Sequence, residues 1–352
     1  MTPRDPPRGA SPLRLVGDEP AVAVDRPVTE RARGDTSGPV VVLGGGGFVG
    51  SAITRRLVSD GYDVIVAERE PPTDLDRLAG ARVLMRDAGD PAIYEELLEG
   101  AAAVVYAVGC LFPGESNASP VSDIQNALTP LIQLLEALRR QPEVPMVFLS
   151  SGGTVYGNPM TIPVTEDHPT NPRTSYGILK LAGEKYIGMY RQLYGVQASV
   201  LRVANAYGPF QPPGRGQGVV GVFVERVARG LPVRVFGSGR VVRDYIHVDD
   251  VARAVGASIA TATPNTLNIG TGVGTSVLQM VQLLEEISGR TIALDHLPSR
   301  DFDVESIVLD VATFRALVGR DPIDFTAGLT TTYEWALREA HRRGVACAGH
   351  SS

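Results

Sequence analysis

Val40-Val41-Val42-Leu43-Gly44-Gly45-Gly46-Gly47-Phe48-Val49-Gly50-Ser51-Ala52-Ile53-Thr54-Arg55-Arg56-Leu57 is an apolar run, a glycine turn and a helical stretch. The run reads as a short buried strand, because it offers no polar face. Glycines at 44, 47 and 50 remove the Cβ atoms that would keep a ligand off the turn. The helix that follows presents free N–H groups and a partial positive charge to an anion. Strand, turn and helix in that order suit the pyrophosphate of a dinucleotide, with Gly44, Gly47, Phe48 and Val49 as its contacts. A second run, Val64-Ile65-Val66-Ala67-Glu68, ends on a carboxylate eighteen residues after Gly50. Glu68 there accepts from adenosine ribose hydroxyls and disfavours a 2′-phosphate, so NAD is preferred. The plainer reading of Glu68 is a solvated strand end, and Arg69 beside it would favour NADP. Asp87, after the third run, either faces the adenine or is an ordinary loop carboxylate.

Outward from this turn the pattern alternates. Val64–Ala67, Arg82–Met85, Ala103–Tyr106 and Met146–Ser150 read as strands, with helices expected at Gly47–Asp60, Ile93–Leu98 and Ile124–Arg140. Such alternation predicts an α/β fold with a parallel sheet covered on both faces. Beyond residue 205 the rhythm loosens into Pro/Gly-rich loops, the mark of a smaller second lobe. Residues 1–38 are proline-rich without periodicity and are expected to be a disordered extension, and 343–352 a loose tail.

Composition narrows the function. A charged fraction of 20%, a net charge of −6 and no basic stripe argue against nucleic acid. No apolar run approaches the ~18 residues of a membrane helix. Two cysteines and five scattered histidines, with no CxxC or HExxH, argue against a metal site or a disulfide framework. The amino terminus has no apolar signal-peptide core, so a cytoplasmic enzyme is expected.

The chemistry is carried by Ser175-Tyr176-Gly177-Ile178-Leu179-Lys180. Tyr176 and Lys180 stand four apart, on one face of a helix. An adjacent ammonium favours the phenolate and makes tyrosine a usable base for an alcohol proton and a usable acid for its return. Lysine occurs only at 180 and 185 among 33 basic residues. The arginine preference of this chain is thus suspended where a compact charge is needed. An ordinary surface i,i+4 pair is the bland alternative, and Lys185 reads as helix surface.

These features together resemble the short-chain dehydrogenase/reductase superfamily. Ser150-Ser151-Gly152-Gly153-Thr154-Val155-Tyr156-Gly157, Leu201-Arg202-Val203-Ala204-Asn205-Ala206-Tyr207-Gly208-Pro209, Val242-Arg243-Asp244-Tyr245-Ile246-His247-Val248-Asp249-Asp250 and Asn268-Ile269-Gly270-Thr271-Gly272 narrow the resemblance to its extended branch, the nucleotide-sugar epimerases and dehydratases. It spans about residues 39–340. It implies a Rossmann-type doubly wound sheet over 39–204 with returning segments near 242–270, and a C-terminal substrate-binding lobe over 205–340. It also implies a homodimer through helices near 124–140 and 175–192. Asn205, Arg243 and Arg300 would hold a substrate diphosphate, arginine's planar fork suiting phosphate oxygens. For Arg243 the alternative is a salt bridge to Asp244 or Asp249, and for Arg300 a plain surface role. Asn126 resembles the family's buried helix asparagine, its alternative being a solvent-facing position.

The chain departs from the family at Gly152, where a serine or threonine normally completes the catalytic group. Ser151, Thr154 or an ordered water are the substitutes. Gly153 and Thr154 occupy the places of the Asp-Glu pair of 4,6-dehydratases, so dehydration lacks its acid and base. What remains is simple oxidation and reduction at one carbon, and the resemblance implies 4-epimerisation of a UDP-sugar through a transient 4-keto intermediate. The rivals are an NADPH-consuming 4-ketoreductase and a non-catalytic NAD-binding sensor.

Overall fold

Strands covered on both faces have no polar side to show, and the apolar runs form such strands. In a computed structural model that describes residues 38–72, 74–109, 113–211, 218–261, 265–299 and 304–342, six of them come first. They are β1 (Val40–Leu43), β2 (Val64–Glu68), β3 (Arg82–Met85), β4 (Ala103–Tyr106), β5 (Met146–Ser151) and β6 (Ala198–Val203). After β7 (Asn205–Tyr207), β8 (Val233–Phe236) and β9 (Val242–His247), β10 (Thr266–Ile269) returns to the first group. The result is a seven-stranded, all-parallel sheet in the order β10-β6-β5-β4-β1-β2-β3. The expected extension, the expected tail and Arg300 lie outside the described residues.

Helices cover both faces. Successive strand residues point to opposite sides. Val40 and Val42 therefore join Ile53 and Leu57 of α1 (Phe48–Ser59) in one apolar cluster, while Val41 and Leu43 join a second. Between β3 and β5 come α2 (Ile93–Leu98), α3 (Pro113–Ala118), α4 (Pro120–Asp123) and, after a π-helical turn over Ile124–Leu128, α5 (Thr129–Leu138). Leu131, Leu134 and Leu135 of α5 and Ile187 and Tyr190 of α6 (Ser175–Tyr194) belong to the second cluster.

The uniform helix expected over Ile124–Arg140 is thus interrupted by the π-turn. Asn126 lies on it, exposed, donating to the Ser122 carbonyl at 2.6 Å, while its neighbour Ala127 is buried. The buried asparagine implied by the resemblance is therefore not at 126. Ala127, about one-quarter turn further round the helix, takes the inward direction.

A third cluster forms beyond Asn205. It joins α7 (Val219–Ala228), β8, Tyr245 of β9, and two helices beyond α8 (Val248–Thr261), namely α9 (Val277–Ser288) and, after α10 (Ala312–Val318), α11 (Phe325–Arg342). Strand β9 belongs to a small sheet with β7, β11 (Gly274–Ser276) and β13 (Ser306–Ile307), while β12 (Leu294–Leu297) pairs with β8.

Candidate active site

The strand order reverses between β1 and β4, and open α/β sheets bind ligands at the carboxyl ends of strands flanking such a point. A cavity of about 1030 Å³ opens there. That is at the top of the ~300–1,000 Å³ range of single small-ligand sites, and the cavity runs on toward β8 and β9. Gly44, Gly47, Phe48, Val49, Gly50 and Glu68 line one end. Ser151, Thr154, Tyr176 and Lys180 line it further along, as do Asn205 and Arg243. Of the residues singled out from sequence, Asp87 is not on its wall. Asp87 is exposed and its carboxylate accepts from Gly89 N–H at 2.8 Å.

The glycine turn is tight for steric reasons. Gly44 has φ +80°, and a Cβ there would meet the Ala107 carbonyl at 2.7 Å. A Cβ on Gly50 would come within 2.0 Å of the Gly44 carbonyl oxygen, whereas the nearest atom to one on Gly47 is 3.4 Å away. Gly47 is therefore bare toward the cavity, which is the cradle a pyrophosphate needs. Glu68 turns back to it and accepts from Gly46 N–H. Burial raises its carboxyl above the ordinary range, and that hydrogen bond partly offsets the effect. The Arg69 side chain is 60% exposed, lies 3.6 Å from Glu70 and donates from Nη1 to Asn126 Oδ1 at 3.4 Å. The residues fit NAD: a glycine turn at the start of a helix with the Glu68 carboxylate against it.

Helix α6 carries Tyr176 and Lys180. Thr174 caps it, its Oγ1 accepting from Gly177 N–H at 3.2 Å, and Asn117 Oδ1 accepts from Ser175 N–H at 2.8 Å. Gly177 lets the first turn press on the loop after β5, since a Cβ there would lie 3.0 Å from the Thr154 carbonyl oxygen. Lys180 is buried, donates from Nζ to the Leu149 carbonyl at 2.9 Å, and stands 5.9 Å from the Tyr176 ring centroid. Lys185 is exposed, as a surface position should be.

Gly152 has no room for the missing hydroxyl side chain. A Cβ there would meet Leu309 Cδ1 at 2.6 Å and the Arg202 carbonyl oxygen at 2.8 Å. Ser151 and Thr154 both line the cavity, and Thr154 Oγ1 itself is buried without a hydrogen-bond partner. Asn205 donates from Nδ2 to the Asp244 carbonyl at 3.1 Å, and Arg243 from Nη1 to that of Val242 at 2.9 Å.

Sequence reasoning passed over several lining residues, among them Arg234, Phe236 and Tyr245. The first two were legible in principle. In β8, Val233 and Val235 are buried while Arg234 and Phe236 are exposed, the period-two pattern of a half-covered strand.

Residues 40–270 match the model of the NAD-dependent epimerase/dehydratase family. The UDP-glucose 4-epimerase of Mycolicibacterium smegmatis is 32% identical over 304 residues, covering 84% of this chain and 97% of that relative. Its mouse counterpart is 35% identical over 301 residues, covering 75% and 86%. Among solved structures, UDP-glucose 4-epimerase of Thermotoga maritima with UDP-glucose is similar at a TM-score of 0.81 and 32% identity, over 86% of this chain and 99% of that one. The Thermus thermophilus enzyme in complex with NAD gives 0.79 and 31%, over 85% and 98%. The matched segment contains the glycine turn, Glu68, the Tyr176–Lys180 pair and Arg243, and the chain belongs to the NAD-dependent epimerase/dehydratase family.

Proposed function

We propose that this protein interconverts UDP-sugars at C4, acting in the cytoplasm as a homodimer. The observation that carries the reading is one continuous cavity. It joins the glycine turn to Tyr176, Lys180 and Thr154 and then to Asn205 and Arg243. The relatives' activity and the absence of an acid–base pair at Gly153 and Thr154 support epimerisation over dehydration.

The Gly44–Gly50 turn and the start of α1 would hold the pyrophosphate of NAD, with Glu68 at the adenosine ribose and Lys180 at the nicotinamide ribose. When bound, NAD supplies the hydride acceptor, and then donor, at the sugar C4. Tyr176 as phenolate takes the proton of the 4-hydroxyl and later returns it to the same oxygen. The Lys180 ammonium holds the phenolate form. Ser151 or Thr154, both on the cavity wall, would hold the sugar oxygen in line. Asn205 and Arg243 would grip the diphosphate, and Arg300 is a further candidate from sequence. With that end fixed, the 4-keto sugar turns without leaving. The lobe over about 205–340 would be the substrate lobe, founded on the third apolar cluster.

The experiment is incubation of purified protein with UDP-glucose and UDP-galactose, their N-acetyl forms and the uronates. Conversion between a 4-epimer pair without net change in nicotinamide is expected. Failure with all of them overturns the reading, and steady oxidation of nicotinamide would point to a ketoreductase.

The homodimer rests on α6. Ile178, Tyr186, Met189 and Leu193 are 57%, 39%, 38% and 61% exposed at helical spacing, an apolar stripe facing outward. Sedimentation at micromolar concentration that gives a monomer would remove this part.

A further inference from the structure

Tyr176, Lys180 and Glu184 recur every four residues on α6 and so share one face. The family reading uses the first two and leaves Glu184 without a task. Yet Glu184 is 9% exposed, and a buried carboxylate is costly unless it is paired. Its partner is Arg202 of β6, itself 8% exposed. Arg202 Nε lies 3.1 Å from both carboxylate oxygens, and Nη2 is 2.7 Å from Oε2. Burial opposes the Arg202 charge, but the hydrogen bonds and charge of Glu184 outweigh it and hold the guanidinium above its ordinary range.

The pair also grips the strand end that holds the Lys180 ammonium. Ser150 donates from Oγ to Glu184, and the β5–β6 register sets Ser150 opposite Arg202. Three consecutive residues at the end of β5 thus have three tasks. The Leu149 carbonyl takes the Lys180 ammonium, the Ser150 hydroxyl is tied to Glu184, and Ser151 faces the cavity. The other ionisable groups on this ion pair are Tyr156, whose hydroxyl accepts from Arg202 Nη1, and Glu166, whose carbonyl accepts from the same nitrogen. Across the cavity, Glu115, Arg173 and Arg243 share its walls.

We propose that Glu184, neutralised by Arg202, is a positioning residue for the Tyr176–Lys180 pair. It anchors the strand end that holds the Lys180 ammonium and, as half of a charge-balanced unit, leaves that ammonium as the net charge acting on the phenol. The two halves of the ion pair therefore pull the Tyr176 ionisation in opposite directions, and only their balance is neutral.

The test uses the NAD-loaded protein and the variants Glu184→Gln, Arg202→Gln and the double substitution. Near-ultraviolet phenolate absorbance is followed against pH, with the Tyr176→Phe signal subtracted. Glu184→Gln leaves the guanidinium unbalanced and moves the Tyr176 transition down by roughly half a pH unit or more. Arg202→Gln moves it up, and the double variant restores it. The acid limb of kcat follows the same shifts, while KM for the UDP-sugar stays within about two-fold. A pair that merely held the fold together would lower the melting temperature without these opposed shifts. Glu184→Gln keeps the shape of the side chain. If Arg202→Gln does not fold, Ser150→Ala takes its place, loosening the strand end without changing charge; kcat then falls and the transition stays put. A transition unmoved in Glu184→Gln, or moved the same way in both charge variants, overturns the proposal. The inference rests on the Tyr–Lys reading above, but the phenolate titration needs no sugar. Correct shifts without epimerisation would therefore overturn the proposed reaction and leave the Glu184 role standing.

Discussion

Lys180 Nζ stands 5.9 Å from the ring centroid of Tyr176 and 5.2 Å from that of Phe148, tethered at 2.9 Å to the Leu149 carbonyl. A buried ammonium held by a carbonyl and two aromatic faces acts as a fixed charge beside the phenol. Tyr176→Phe should therefore lower turnover by about 10²–10⁴, the usual worth of a positioned acid–base group. NAD content and melting temperature should stay near wild type. Retention of a tenth of wild-type activity would mean that the proton goes elsewhere.

Gly50 and Gly47 belong to one turn but should respond differently to alanine. The Cβ of Gly50→Ala would overlap the Gly44 carbonyl oxygen, at 2.0 Å, so the turn must open; the protein should melt earlier and lose NAD on gel filtration. Gly47→Ala, with its nearest atom at 3.4 Å, should fold normally and bind NAD less tightly, because the added methyl narrows the cavity at the glycine turn. Equal melting temperatures for the two variants would contradict this geometry.

Gly152→Ser restores the family's usual residue type and should not raise activity. Its Cβ would press on Leu309 and the Arg202 carbonyl, and overpacking of this kind costs about 1–3 kcal/mol. Thr154→Val removes a buried hydroxyl that has no partner in the protein, so stability should hold or rise. If that hydroxyl serves the substrate, kcat should drop by about ten-fold, a charge-assisted hydrogen bond being worth ~1.5–3 kcal/mol. Full activity in Thr154→Val would pass the role to Ser151, for which Ser151→Ala is the matching measurement.

Glu68 links pH to stability and to cofactor. Burial raises its carboxyl, so the folded protein binds that proton more tightly than the unfolded chain does. The stabilising contribution of that form is fully present below the ordinary carboxylate pKa and is lost as pH rises through the raised value. Glu68→Gln should flatten that part of the melting-temperature profile and leave the NAD-free protein no less stable at neutral pH. Calorimetric titration should find NAD bound about ten-fold or more weakly, since a charged acceptor for the ribose hydroxyls is gone. Unchanged affinity would show that the ribose is held by other groups.

The sheet was legible because parallel strands are covered on both faces and so appear as unbroken apolar runs: Ala103–Tyr106 forms with the bounds the pattern assigns and is buried throughout. Gly44, Gly47, Glu68, Tyr176 and Lys180 were legible as candidates, and all five line the cavity. Their chemistry depends on spacing within one turn, one helix or one strand–turn–helix unit. Asn126 was misplaced because a π-turn shifts the helical register, and the interval from the helix start carries no sign of it. Asp87 was marked by its place after a strand, yet its carboxylate turns to Gly89 in the same loop.

Local order thus determined which turn is shaped for a dinucleotide and which helix face carries Tyr176 and Lys180. Tertiary structure alone decided why position 152 must be bare, since the crowding atoms belong to Leu309 and Arg202. It alone also brought Arg202 onto Glu184 behind the pair and Arg243 into the same cavity as Tyr176. Periodicity and turn chemistry act over a few residues. Steric exclusion and charge pairing act between surfaces that meet only when the chain has closed.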